Sequence, residues 1–389
     1  MEDRGSLGLA YLDLGGDGQV ETLHGWQAYD ELLVAVARAL LDLRSEPPLS
    51  PRDIVAVLAV RSDKFLVFLG GAGRALDRER LASAFAALRE RLKAKLKATL
   101  PAAMRPLPAI YCGYALLHRD PMLRAERAVH RALDEAISMS LREREGEEDR
   151  RLQILDNLIQ GQEVVTLYQP ILDLTDLSVV GHEVFTRGPS GGPFEDPERL
   201  FALAERAGRM TEFERLSRRA ALDTVHRHLR PGGKLFLNTS ARALQDPEVA
   251  GAGFVDRVDA EGLSHSQVVL EITERVAVEE RQLYRDALRA LKDAGFGIAI
   301  DDMGAGYSSL QSIVELEPDY LKFDISLVRN IDRSLIKRSL LETLVDLSEK
   351  IGAGVIAEGI EARSELDTLR EMGVRLGQGL FLAPPAPVP

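Results

Sequence analysis

Two aspartates, Asp301 and Asp302, stand side by side at the end of the apolar run FGIAIDD (296–302), just before the glycine-bearing stretch MGAGYSSL. Successive side chains of a strand point to opposite faces, so two neighbouring carboxylates are useful together only where that alternation breaks, at a strand end. Other apolar runs end the same way. VVGHEVFTR (179–187) carries Glu183 and Arg187, KLFLNTS (234–240) carries Asn238, and VVLEIT (268–273) carries Glu271 with Glu274 just beyond. YLKFD (320–324) holds Lys322 and Asp324, GVIAEGI (354–360) holds Glu358 with Glu361 next, and GQGLFLA (377–383) holds Gln378. Six carboxylates, Glu183, Glu271, Asp301, Asp302, Asp324 and Glu358, would then face Lys322 and Arg187 as the nearby cations. Each like-charge pair at ~4 Å costs on the order of 1–4 kcal/mol, and divalent cations remove that cost. The donors are hard oxygens, and His182 faces away from its neighbour Glu183. Mg²⁺ or Mn²⁺ is therefore expected over Zn²⁺, with Ca²⁺ as an inhibitor or substitute because it prefers a larger, looser shell. Asp301 and Asp302 together could serve two ions ~3.5–4 Å apart, an arrangement that holds the attacking and leaving oxygens of a phosphoryl displacement.

Positioning these residues needs strands that end at one place. The runs above, with VVTLYQPIL (164–172), make eight apolar segments over the C-terminal part of the chain, most separated by helical patterns. This spacing predicts a closed (β/α)8 barrel, TIM-like, whose chemistry sits at the C-terminal strand ends. An open doubly wound sheet is the competitor, weakened by the lack of a G-x-G-x-x-G turn after the first strand. Within MGAGYSSL, Gly304 and Gly306 permit tight turns and Ser308-Ser309 can cap a following helix, which suggests a mobile loop beside the ions. Earlier in the chain, GLAYLDL (8–14), IVAVLAV (54–60), FLVFLG (65–70) and AIYCGYALL (109–117) read as strands, with helical patterns at 26–43, 77–98 and 121–140. That predicts a preceding α+β domain. The charge-dense ISMSLREREGEEDRRLQ (137–153) reads as a solvated helix joining the two, giving 1–140, a helical linker 141–155, and 156–389.

Composition narrows the function classes. The 389 residues carry a net charge of −12, which argues against a duplex nucleic-acid binder relying on a basic surface. No apolar run of about 18 residues is present and the N-terminus, Met1-Glu-Asp-Arg, does not read as a signal peptide, so a cytoplasmic location without membrane insertion is expected. The single cysteine, Cys112, lies among apolar residues and reads as a buried structural thiol.

The C-terminal motifs resemble, in order over about 155–385, those of the EAL-domain family of cyclic di-GMP phosphodiesterases. YQPI (168–171) is similar to its opening segment, EVFTR (183–187) to E-A-L-x-R, LNTS to the N-x-S strand, and EITE (271–274) to E-[IL]-T-E. DDMGAGYSSL is similar to D-D-F-G-T-G-Y-S-S-L, LKFD to K-[IL]-D, AEGIE (357–361) to A-E-G-[VI]-E, and GQGLFLAPP to the closing Q-G segment. The resemblance implies Glu183, Asn238, Glu271, Asp301, Asp302 and Glu358 as metal ligands and Lys322 as the residue orienting the hydrolytic water. It implies Gln378 and Asp324 as completing the inner site, Gln169 and Arg187 as contacts to the dinucleotide, and Glu274 as the anchor of the loop 303–309. The expected reaction is hydrolysis of cyclic di-GMP to 5′-pGpG with two Mg²⁺ or Mn²⁺. Val184, Phe185, Met303 and Ala305 depart from the family pattern without touching a charged position. A non-catalytic cyclic di-GMP receptor and a hydrolase of another phosphodiester are the alternatives.

The first domain resembles the GGDEF domains, cyclases that make the same dinucleotide. YLDLGGDG (11–18) supplies Asp13 where a metal ligand stands, HGWQAYDELL (24–33) keeps Asp30, and RSDKFLVFL (61–69) occupies the signature hairpin. Arg61 and Ser62 replace both glycines, Lys64 replaces an acidic ligand, and Glu21 stands where a guanine-contacting Asn is expected. A degenerate, non-cyclase domain is expected, sensing a nucleotide or serving as a dimer scaffold, in a chain that forms a homodimer.

Overall fold

The computed structural model describes residues 6–15, 19–58, 63–70, 76–101, 109–118, 122, 124–192, 194–195, 197–225, 229–273, 282–304 and 316–387, with backbone alone for 19–25, 198 and 282–283. Glu274, Arg61, Ser62, the Glu21 side chain and the loop from Ala305 onward lie outside this description. The chain divides into two units, Met1–Arg151 and Leu152–Pro389. The division falls within one long helix, Ala125–Gly161.

In the first unit β1 (Ser6–Asp13), β2 (Ile54–Val57), β3 (Lys64–Leu69) and β4 (Tyr111–His118) form an antiparallel sheet in the order β2-β3-β1-β4. Strand β1 is central and covered on both faces, which is why its interior, Leu7 to Leu12, is apolar. Ala10 and Leu12 pack with the helices Gln19–Leu43 and Arg78–Thr99, whereas Leu9 and Tyr11 pack toward Ala132 and Ala136 of the long helix. That helix lies so close to β4 that a Cβ on Gly113 would collide with the Ala136 backbone.

The second unit is a closed barrel of eight strands: β5 (Val165–Asp173), β6 (Val179–Arg187), β7 (Lys234–Asn238), β8 (Val268–Thr273), β9 (Gly297–Met303), β10 (Tyr320–Phe323), β11 (Gly354–Ala357) and β12 (Leu376–Gly377). The pairs from β6 round to β12 are parallel. Strand β5 runs against both its neighbours, a departure from the all-parallel barrel that the spacing suggests. The seam there is short: two residues of β12 pair with Leu172 and Asp173, and a bridge joins Tyr168 to Ala386.

Inside the barrel a layer of Ile171, Phe236, Val269, Ala299, Ile356 and Leu376 forms a core of its own. Two residues further toward the mouth on the same strands come Gln169, Asn238, Glu271, Asp301, Glu358 and Gln378, because side chains two apart share a face. On antiparallel β5 that step is taken backwards along the chain. Between strands and outer helices, a larger core including Leu235, Leu237, Leu270, Ile300, Leu321 and Phe323 uses the intervening positions.

Candidate active site

Four carboxylates converge on one ammonium at the barrel mouth. Lys322 Nζ lies 2.7 Å from Glu271 Oε1, 2.7 Å from Glu358 Oε1, 3.1 Å from Glu183 Oε2 and 3.3 Å from Asp301 Oδ1. Lys322 and Glu271 are buried to 0% and 1% exposure, so water cannot screen this cluster. The Gln378 amide donates to both Glu183 Oε2, at 2.5 Å, and Glu358 Oε1, at 3.1 Å. From the other side Asn238 Nδ2 donates to Glu183 Oε1 at 3.3 Å.

Charge balance at the cage is incomplete. Burial favours the neutral amine of Lys322, but the four surrounding carboxylates override it and hold the ammonium well above the ordinary lysine value. Burial, with Glu183 and Asp301 behind it, pushes the Glu271 carboxyl well up against the pull of Lys322. Glu358 is raised in the same way, by burial first and then by Asp301 and Glu183. Glu271 Oε2 is buried without a hydrogen-bond partner, and buried Glu271 Oε1 and Asp301 Oδ1 have only the shared Lys322 ammonium beside them. Oxygens of Glu183, Glu271 and Asp301 all lie within 4.8 Å of one another. Hard oxygens with unfulfilled lone pairs at that spacing suit a cation with ligand distances of ~2.0–2.6 Å, so the residues present fit a divalent metal ion.

The paired aspartates differ in their surroundings. Asp302 has φ +60°, in the left-handed region that L-residues avoid, and is more open to solvent than the buried Asp301 beside it, which alone of the two joins Glu183 and Glu271. Burial, then Asp301 and Asp324, push the Asp302 carboxyl up to about 6. Gly304 follows with φ +105°, where any Cβ would strike Leu327. Asp324 itself accepts the Ser326 N–H at 2.8 Å, capping the turn Ile325–Val328. Gln169 is buried against Glu183 in the β5–β6 ladder, and its amide donates to Ala383 O at 3.0 Å. Arg187 closes β6 with a buried, unpartnered Nε. Burial lowers the His182 pKa, and the ring sits one position off the inward register of Glu183.

Beside the cage, a cavity of about 470 Å³ is lined by Phe185, Pro197, Phe201, Arg218, Asn238 and Asp302 among others. Glu214 and Arg218, both buried, border it from the helix Met210–Val225. Sequence reasoning missed these two because they lie on a helix, amid other charges, and not at a strand end.

In the first unit Lys64 faces Asp13 directly across the β1–β3 ladder, Asp13 Oδ1 accepts Gly15 N–H at 3.1 Å, and Tyr29 donates to Asp63 Oδ2 at 3.3 Å. Burial pushes the Cys112 thiol up to about 12, which removes it as a nucleophile. Among the described residues no helix is long and apolar enough to cross a membrane.

A family model for the EAL domain matches residues 152–385. The chain is 30% identical over 242 residues to "Probable cyclic di-GMP phosphodiesterase PdeG" of Escherichia coli, covering 60% of this chain and 46% of that protein. It is 25% identical over 407 residues to "Bifunctional diguanylate cyclase/cyclic di-GMP phosphodiesterase MucR" of Pseudomonas aeruginosa, covering 100% of this chain and 57% of that one. The chain thus spans about half the length of these curated relatives. The solved EAL domain of FimX from Xanthomonas citri, in complex with c-di-GMP, superposes with a TM-score of 0.58 at 20% identity, over 64% of this chain and 97% of that one; this is a likeness of fold.

Proposed function

The chain belongs to the EAL domain family, and from that premise we propose that its barrel hydrolyses one phosphodiester of cyclic di-GMP to linear 5′-pGpG. The observation that carries the proposal is the set of four carboxylates sharing the single ammonium of Lys322, with Glu271 Oε2 buried and without a partner. Relatives named cyclic di-GMP phosphodiesterases support the choice of substrate.

Glu183, Asn238, Glu271, Asp301, Asp302 and Glu358 would hold two Mg²⁺ or Mn²⁺ ions. Such ions supply an activated water and a counter-charge for the phosphoryl oxygens. Lys322, in contact with Glu358 at 2.7 Å, would orient the attacking water, and Glu358, whose carboxyl burial raises, would accept its proton. Arg187, at the end of β6, would counter the charge gathering on the phosphate. Gln378 ties Glu183 to Glu358 and so fixes the distance between ligand and base. Gln169 and Asp324 brace the rim, and Glu274 anchors the loop that follows Asp302. The first unit is regulatory or dimerising and not a cyclase, a reading supported by Lys64 opposite Asp13, where a cation in place of an anion repels a metal ion.

Incubation of the purified chain with cyclic di-GMP and Mg²⁺ or Mn²⁺, followed by chromatography, is expected to yield pGpG, with turnover lost to EDTA and to Ca²⁺. Glu183→Gln and Asp301→Asn should each lower turnover on the order of a hundredfold or more with the fold retained. Bound but intact dinucleotide would make the barrel a receptor, and neither binding nor cleavage would point to another phosphodiester.

A further inference from the structure

Two charged residues of the helix Met210–Val225, one turn apart and both buried, grip the segment that follows β7. Glu214 accepts the Ser240 N–H at 3.0 Å and the Ser240 hydroxyl at 3.1 Å. Arg218 Nη2 donates to Thr239 Oγ1 at 2.7 Å and to the Asn238 carbonyl at 3.2 Å. The Thr239 hydroxyl spends its own proton on Leu237 O, which leaves its lone pairs for the guanidinium. On its other edge the same peptide donates Thr239 N–H to Glu271 O at 2.8 Å. The plane between Asn238 and Thr239 is therefore fixed from both sides, by Arg218 and by the strand that carries Glu271.

This is a costly way to build a helix packing face. Arg218 Nη1 is buried with no partner, the guanidinium lies 5.0 Å from the Phe254 ring centre, and burial draws its pKa down to about 10 despite Glu214. An apolar pair in place of both Glu214 and Arg218 would be no less stable there. What the arginine adds is direction.

We propose that Glu214 and Arg218 are positioning residues that hold the Asn238–Ser240 segment so that the Asn238 amide is aimed into the carboxylate cage. The proposal rests on Asn238 being a cation ligand, as in the function proposed above. Partners that orient a metal ligand are worth about 10–100-fold in metal affinity.

The test is Mn²⁺ titration of the full chain by calorimetry, beside thermal unfolding of the metal-free protein. Arg218→Met is expected to bind Mn²⁺ about tenfold or more weakly, with a lowered metal-free midpoint because buried Glu214 loses its counter-charge. Electrostatics alone predicts the opposite sign, since deleting a positive charge near a cation site tightens binding. In an Asn238→Ala background the same substitution should change affinity by less than about twofold, because the effect travels through that side chain. Affinity equal to or tighter than wild type, or an equal loss in the Asn238→Ala background, overturns the proposal. If Arg218→Met does not fold, Thr239→Val is measured against the same criteria. Wild-type protein that binds no Mn²⁺ overturns this inference and the hydrolase together, whereas normal wild-type binding with an unaffected variant overturns this inference alone.

Discussion

At the scale of single residues, Asp302 carries the tension of the site. Its left-handed backbone costs on the order of 1–3 kcal/mol, and its carboxyl is raised from 3.8 to about 6 by burial and by Asp301 and Asp324. A carboxyl raised in the folded state contributes stability that is complete below its ordinary value and lost as pH climbs through the raised one. Metal-free protein should therefore lose stability relative to Asp302→Asn as pH rises from 3.8 to about 6, read as diverging thermal midpoints, and saturating Mn²⁺ should close the gap. Midpoints that stay parallel across that range would show that Asp302 ionises without penalty. The carboxylates themselves were legible in the sequence, since like charges repeatedly closing apolar runs have few other uses. The backbone turn at Asp302 was not, because nothing in an Asp-Asp pair announces a positive φ.

At the scale of elements, the tips of β11 and β12 interlock. Glu358 N–H donates to Phe323 O, Gln378 N–H to Ala357 O, and Ile360 N–H back to Gln378 O. Gly359 makes the turn with φ +65°, and a Cβ there would lie 2.6 Å from Ile325 Cβ. Gly359→Ala is expected to cost about 1–3 kcal/mol in chemical denaturation and to lower turnover by displacing Glu358; a wild-type denaturation midpoint would deny the glycine that role. Strand positions could be read from apolar runs because period-two burial leaves a strong mark; seven barrel strands lie within their runs or pass them by one residue, whereas β12 meets GQGLFLA only at Gly377. The direction of β5 is marked as well, since only residues 173–178 part its run from that of β6, too few for a parallel crossover, a signal the barrel expectation passed over. The Gln169 contact with Ala383 was hidden, as it joins residues far apart in the chain.

At the scale of the molecule, the two units keep separate cores, one around Leu12, Phe65 and Leu88 and the other around Leu235, Leu270 and Phe323. Calorimetry should accordingly resolve two unfolding transitions, with Mn²⁺ moving only one. At a hundredfold excess over its dissociation constant the ion adds about 2.7 kcal/mol, or roughly 5–10 °C for a unit of this size. A shift of both transitions would place cation sites in the first unit as well, against the pairing of Lys64 with Asp13. The seam of the barrel has a consequence for biosynthesis. Strand β5 finds its second neighbour only in Leu376–Gly377, and Tyr168 its bridge only in Ala386. A ribosome makes the first of these long before the last, so the nascent unit waits as an open sheet with a bare edge. Ring closure, and with it the carboxylate cage, waits for the synthesis of Leu376–Gly377.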